Sequence, residues 1–287
     1  MARKILISRR DFLQDPAAVL SGGFWSLPIT NILDSKPQLV AKAVSNLDLA
    51  STQFNVDLGF QRNYVGLFFF ANLKTTTLGL IRVRASLNSN MSSPTYDTGF
   101  VSSWPQDSTP GGFTPWGEFT LNGVYDIEEY TRLGMPRFFI PAVPVQCRYL
   151  RVEVNDTTAT SPLEIGCFGA CEVWESPEDF APAPQITFLD ESEITKVPYG
   201  SKFIEFRGMR RRFNFGFPVI TKNEMLSKTL GLALLKGKTQ PLVVVSFPDE
   251  TSNLEKTSVY GLVSQDGVIS NPFFGHYAQP IQIDQLI

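Results

Sequence analysis

At 287 residues, with 20 prolines and 21 glycines, the chain is long enough for two domains and needs no disulfide or metal to hold its core, since a chain of this size removes about 75% of its unfolded surface from water. Lys and Arg total 25 against 28 Asp and Glu, a formal charge of -3, which excludes a global field that gathers nucleic acid; no nucleic-acid specificity is expected. One histidine excludes a multi-His metal site, and three cysteines leave one thiol over in any disulfide scheme.

Nothing near residue 1 reads as a signal peptide, and apolar runs such as Val65 to Leu73 are about half the roughly 18 residues a membrane helix needs. Synthesis in a reducing cytoplasm and no membrane span are the expectations. Residues 1–23 read as an N-terminal arm. Beyond them the apolar segments are short, rich in Val, Ile, Phe and Tyr and separated by Gly and Pro, which predicts a mostly β chain. Phe54 to Gly59 and Leu80 to Ala85 alternate apolar and polar, each a strand with one wet face. Val65 to Phe70 is apolar at every position but Gly66, which predicts a strand covered on both faces.

From Ser86 to Thr120 the pattern dissolves into a polar excursion carrying Tyr96, Trp104 and Trp116. A second irregular stretch, Asp126 to Pro144, holds Glu128, Glu129, Phe138 and Phe139. Tyr149 to Val154 alternates again, and Ile165 to Trp174 predicts a strand broken by glycines. The prolines of 176–185 favour an extended linker, so the expected domains are 24–175 and 186–287. Past the linker, Lys202 to Arg207 and Arg211 to Phe217 alternate around Gly208, with Pro218 ending the second strand. Thr221-Lys222-Asn223-Glu224 is a capping box that opens a helix over 221–236, with Met225, Leu226, Leu230, Ala233 and Leu234 at helical spacing and Gly237 as its stop. Leu242 to Phe247, Val259 to Val263 and Ile281 to Leu286 supply further strands. The expected fold is a β-sandwich followed by a barrel-like β domain with one packed helix.

Residues able to carry chemistry are few. Glu128 and Glu129 are adjacent and so face opposite ways on a strand. Cys167 and Cys171 lack the second pair or the nearby His of a zinc site, and Cys147 stands apart, so all three read as buried thiols. Asp57 is at most a weak calcium ligand, and Gly22-Gly23 and Gly111-Gly112 read as turns. No catalytic, cofactor or metal residue is assigned, and no enzyme activity is expected. Tyr96, Trp104 and Trp116 fit either a stacking platform for sugar rings or the packing of a loop or subunit interface. Arg210 and Arg212 fit the solvated face of a strand beside Phe213, Phe215 and Phe217, or, together with Arg211, a subunit contact to acidic groups.

Two resemblances extend this reading. Asn55-Val56-Asp57-Leu58-Gly59, the apolar strand at Val65 to Phe70, Arg82 to Ser86, Arg148 to Val154 and Cys171 to Trp174 resemble, in order and spacing, the discoidin-like jelly roll of galactose-binding domains and many carbohydrate-binding modules. Arg210 to Phe213, the helix, Pro241 to Val245, Val259 to Gly261 and Ile281 to Leu286 are similar to the C-terminal part of minor and distal tail proteins of long-tailed bacteriophages. The second resemblance implies a virion protein that forms a ring of three or six copies, joins tail tube to tip hub, and carries the jelly roll outside. Its alternative is a carbohydrate-binding module that attaches the particle to host surface glycans. A glycan-cleaving enzyme would need two carboxylates across one cleft, and no pair in the sequence is placed to supply them.

Overall fold

The computed structural model describes residues 5–104, 136–175, 185–190, 192–196, 202–205, 209–249, 254–264, 270–273 and 276–286. The chain is mostly β, as its short alternating segments require. No helix of the described residues is long and apolar enough to cross a membrane.

Strands β1 (Leu6–Asp11), β2 (Val19–Ser21), β3 (Trp25–Leu27) and β4 (Ala41–Ala43) precede a one-turn helix, α1 (Leu49–Thr52), whose first turn is capped by the Asp48 carboxylate accepting from Ser51 N at 2.7 Å. Then come the 21-residue β5 (Phe54–Lys74), β6 (Leu80–Ser86), β7 (Tyr96–Asp97), β8 (Val101–Ser102), β9 (Arg137–Phe139), β10 (Val145–Asn155) and β11 (Glu164–Glu175). β5 belongs to both sheets of a sandwich. Its first residues pair with β2 and β10; after register shifts around Arg62 its later residues pair with β11 and β9. Gly59 makes the corner possible: its φ is +74°, and a Cβ there would lie 2.5 Å from that of Ala17. One sheet is therefore β2, β5, β10 and β6 with the short β7 and β8 at its edge; the other runs from β9 through β5 and β11 to β1, with β4 and β3 alongside.

Phe54, Val56, Phe68, Phe70, Leu150, Val152 and Phe168 fill the space between the sheets with no more than 1% exposure, each worth about 1.5–3 kcal/mol of burial. The strand expected to be covered on both faces is so: Phe68 and Phe70 enter this core, whereas Leu67 and Phe69 point the other way, where Val243, Val245, Leu254 and Tyr260 close over them. The glycines of β11 do not break it. Gly169 instead admits the Phe69 ring, whose nearest atom lies 2.0 Å from where a Cβ would be.

Residues 6–11, expected within an arm, form an integral strand. β1 pairs with β11 on one side and, through Leu6 and Ile7, with Val245 and Val244 of the C-terminal unit on the other. Its sequence explains why: Leu6 and Ile7 face opposite sides of the sheet and both are buried, one in each apolar cluster of the C-terminal unit. The linker expected at 176–185 lies almost wholly outside the described residues.

The C-terminal unit contains β12 (Gln185–Asp190), the hairpin β13 (Glu193–Lys196) and β14 (Lys202–Glu205), β15 (Met209–Thr221), β16 (Leu242–Val245), β17 (Ser258–Val263), β18 (Ser270–Phe273) and β19 (His276–Gln285). Sheet order runs β12, β15, β19, β17, β16 and then β1. β15 does not stop at Pro218. Its register to β19 shifts between Phe217 and Ile220, so the missing proline N–H costs no ladder bond. The helix begins where the capping box places it, with both reciprocal bonds between Thr221 and Glu224. It runs as α2 (Lys222–Glu224), a π-turn at Met225–Thr229 and α3 (Leu230–Lys236), and Gly237 at φ +49° ends it. The buried stripe is Met225, Thr229, Leu232 and Lys236; of the expected residues Met225 is buried and Leu230 half-buried, whereas Leu226, Ala233 and Leu234 face outward. The wider π-turn rotates the face, and two polar members are satisfied locally, Thr229 Oγ1 donating to Met225 O and Lys236 Nζ to Pro241 O, both at 3.0 Å. A last single turn, α4 (Leu254–Thr257), lies under β9.

Candidate functional site

Of the aromatic residues singled out in the sequence, the two that are described, Tyr96 and Trp104, form no platform. Trp104 is 3% exposed and its indole N–H donates to Thr75 O at 3.0 Å. Tyr96 stacks on Phe68, ring centroids 5.4 Å apart and planes 15° from parallel, and burial, followed by the charge of Asp97, pushes its hydroxyl up to about 12. Trp116, Glu128 and Glu129 lie outside the described residues. The two rings that are described are packing for the sandwich, because each finds an apolar seat inside a sheet edge and, for Trp104, a carbonyl for its polar atom.

The three arginines also separate. Arg212 pairs with both oxygens of Asp284, at 2.6 and 2.8 Å, and Arg210 is half-buried at the start of β15. Arg211 turns inward with Phe213, Phe215 and Phe217, because side chains two apart on a strand share a face. Its Nε donates to Gln285 Oε1 at 2.9 Å, and its Nη1 donates to Glu255 O and Lys256 O at 3.0 and 2.7 Å, serving the end of α4. Burial lowers its pKa to about 10. Arg211 is thus no surface contact. Near it a second buried guanidinium, Arg137 of β9, is ion-paired with Glu255, which is fully buried.

The three thiols are all free and buried. Desolvation pushes Cys147 up to about 12 and raises Cys171 well above the ordinary thiol range, so neither offers a thiolate nucleophile at neutral pH. Asp11 sits between β1 and β11 beside Cys171, Lys236 and Tyr260 around a small cavity. Its carboxylate accepts from Leu13 N and Ala170 N at 3.1 and 3.2 Å, yet burial lifts its pKa to about 6. These groups lie inside the contact between sandwich and C-terminal unit, where they secure that contact.

Among the described residues, the outer face of the first sheet carries half-buried polar side chains, with Ser86 and Glu153 buried among them. Alternation sends Leu150, Val152 and Val154 of β10 inward, and Tyr149, Arg151 and Glu153 outward. Register then sets rows across the strands: Asp57, Tyr149 and Ser86 in one, Asn55, Arg151 and Arg84 in the next, Glu153 and Arg82 in the third. Asp57 accepts from Arg148 Nε and Nη2 at 2.9 and 3.0 Å, and that guanidinium lies 5.0 Å from the centroid of the Tyr149 ring. Asp97 likewise takes Arg82 at 2.8 and 2.5 Å, with Arg82 over the exposed Phe100 ring at 5.6 Å. Arg84 Nη2 donates to Glu153 Oε1 at 2.6 Å, and Arg151 Nε to Asn55 Oδ1, also at 2.6 Å. The bonds from Arg148 and Arg82 hold Asp57 and Asp97 below the ordinary carboxylate range, so both stay ionised near neutral pH and are poor general acids. With both oxygens engaged by Arg148, Asp57 is also poorly placed as a calcium ligand. The face offers fixed planar amide, carboxylate and guanidinium groups beside aromatic rings at two corners.

By contrast, the connections at the sandwich end where β4 stops and β6 begins expose Phe24, Val44, Leu47 and Leu78, three of them aliphatic and without a hydrogen-bonding group. The alternating strands show the wet residues of each segment in the sequence; which of them meet across strands is set by register, and no spacing within one segment reveals it.

No family model matches the chain and no curated protein matches it by sequence. Among solved structures it is similar to the family 32 carbohydrate-binding module of Clostridium perfringens NanJ in complex with galactose, at 10% identity over 57% of this chain and 98% of that one, TM-score 0.36. It is also similar to the module CBM32-6 of a C. perfringens family 89 glycoside hydrolase, at 8% identity over 58% of this chain and 100% of that one, TM-score 0.33. A third is the module CBM32-1 of a family 31 glycoside hydrolase from the same organism, at 9% identity over 54% and 93% of the two chains, TM-score 0.35. All three are remote both in sequence and in superposition.

Proposed function

We propose that the chain is a non-enzymatic glycan-binding protein whose sandwich holds the sugar on the outer face of its first sheet. The observation that carries this reading is the preorganised row of planar polar groups, Asn55, Asp57, Arg148 and Arg151, beside the Tyr149 ring. Such groups match paired ring hydroxyls two bonds at a time, and an aromatic face covers the C–H side of a pyranose. Single sites of this open kind bind near millimolar, about -4 kcal/mol, and several copies on one particle raise apparent affinity by roughly a hundredfold or more. Titration of the full chain with a panel of neutral and acidic oligosaccharides tests the proposal. Binding that weakens at least tenfold in both Tyr149→Ala and Asn55→Ala, with thermal midpoints showing each variant folded, is the expected result. Silence across the panel, or binding indifferent to both changes, would overturn it.

A second role, assembly through the C-terminal unit as in the ring of a phage tail tip, is favoured by a different observation. Edge strand β12 and hairpin β13–β14 expose Phe188 (62%), Ile194 (58%) and Phe203 (65%). Exposed apolar rings on an edge strand invite another chain. Light scattering of the full chain is expected to show an oligomer that Phe188→Asp and Phe203→Asp dissociate; a monomer at every concentration refutes this second role. Placement of the chain in a virion, and its neighbours there, belong to the same proposal.

A further inference from the structure

The outer face of the first sheet carries a charge imbalance with a definite address. Four guanidiniums, those of Arg82, Arg84, Arg148 and Arg151, share it with three carboxylates, Asp57, Asp97 and Glu153. Two of those carboxylates are saturated: Asp57 gives both oxygens to Arg148, and Asp97 both to Arg82. Glu153 bonds Arg84 at 2.6 Å and also stands 3.8 Å from Arg82. That leaves Arg151, half-buried in mid-face, bonded to the neutral amide of Asn55 and to no carboxylate among the described residues. Register then places Arg151 directly opposite Arg84 on the neighbouring strand, an arrangement of like charges that costs stability in a sheet. Arg84 Nε is buried without a hydrogen-bond partner. Two guanidiniums, one lacking a counter-charge, thus stand at facing positions of neighbouring strands, and arginine forks meet carboxylates two bonds at a time.

We infer that the sugar held on this face is a carboxylated one, a uronic-acid type residue whose carboxylate sits between Arg151 and Arg84 while its ring lies toward Tyr149. The inference rests on the glycan-binding reading of the same face, and its test separates the two. Oligogalacturonate, its neutral methyl ester and inorganic phosphate are titrated into the full chain at low and at physiological salt. The acidic oligomer is expected to bind at least tenfold tighter than its ester and to weaken as salt rises. Arg151→Gln is expected to erase that preference, weakening the acidic oligomer at least tenfold more than its ester, and to keep or raise the thermal midpoint, because the variant removes the repulsion across the Arg84 pair. Tyr149→Ala is expected to weaken both oligomers. Equal binding of acid and ester, both dependent on Tyr149, overturns the charged ligand and leaves glycan binding standing. Phosphate alone competing as well as the oligomer overturns the carboxylated sugar, and a fall in midpoint for Arg151→Gln with the preference intact assigns Arg151 to structure.

Discussion

Arg137→Ala is expected to loosen the contact between the sandwich and the C-terminal unit more than any exposed ion-pair deletion would. Arg137 reaches from β9 to Glu255 of α4, donates also to Ser102 O at 3.2 Å and lies 5.3 Å from the centroid of the Phe139 ring. Burial raises the pKa of Glu255, and the charge and hydrogen bond of Arg137 work against that rise. Removing the guanidinium strands a carboxylate whose side chain is 1% exposed, which costs about 3–5 kcal/mol. For a chain of this size that is a fall of roughly 10 °C in thermal midpoint. The loss should shrink as pH falls, because Glu255 then takes up a proton and the stranded charge disappears. Replacing both partners, Arg137→Met with Glu255→Leu, is expected to stay within about 2 kcal/mol of the parent, since no charge is left buried. Urea unfolding followed by tryptophan fluorescence measures all three. A single-variant loss under about 1 kcal/mol, the value of a solvated pair, or a double variant weaker than the single, would refute the reasoning.

Two other perturbations probe the interior. Asp11 holds its proton more tightly folded than unfolded, its pKa rising from 3.8 to about 6. Its contribution to stability is therefore complete below about pH 4 and lost as pH rises through about 6, a span worth roughly 3 kcal/mol. Asp11→Asn should lack that slope, so that the difference between variant and parent urea midpoints changes in the variant's favour as pH rises, and parallel profiles from pH 4 to 7 would contradict the assignment. Trp104→Ala should destabilise by about 3–5 kcal/mol, as loss of a buried aromatic does, while the folded variant keeps its sugar affinity; a stable variant that no longer binds would return Trp104 to the ligand.

Much of the fold is legible in the sequence. The unbroken apolar run at Val65 to Phe70 announces two covered faces, and the capping box at Thr221 places the helix start to the residue. The errors share a cause. Leu226 and Leu234 look like core by spacing, but a five-residue π-turn shifts the face, and Lys236 with Thr229 takes the buried positions because neighbouring carbonyls satisfy them. Arg211 reads with its neighbours as a candidate subunit contact, yet its donors match the open carbonyls at the end of α4, a pairing separated by 44 and 45 residues. The sheet face was hidden for the same reason. Arg82, Arg84 and Arg151 sit in legible strands, but their confrontation arises from pairing across 67 or more positions, and local pattern carries no trace of it. Trp104 and Tyr96 drew attention by size; their surroundings, not their type, make them packing.

Strand β1 lies between β11 and β16, so residues 6–11 wait for partners near positions 171–175 and 244–245. Until residues 171–175 and then 244–245 have been made, Leu6 and Ile7 lack their partners on either side, and such distant closures slow folding. A cut at the proline-rich joint would therefore be no clean division: the downstream fragment would lose the strand that flanks β16, and the upstream one would leave Leu67 and Phe69 facing water. Each half alone is expected to aggregate, while supplying residues 1–184 in trans to the remainder should restore a soluble pair.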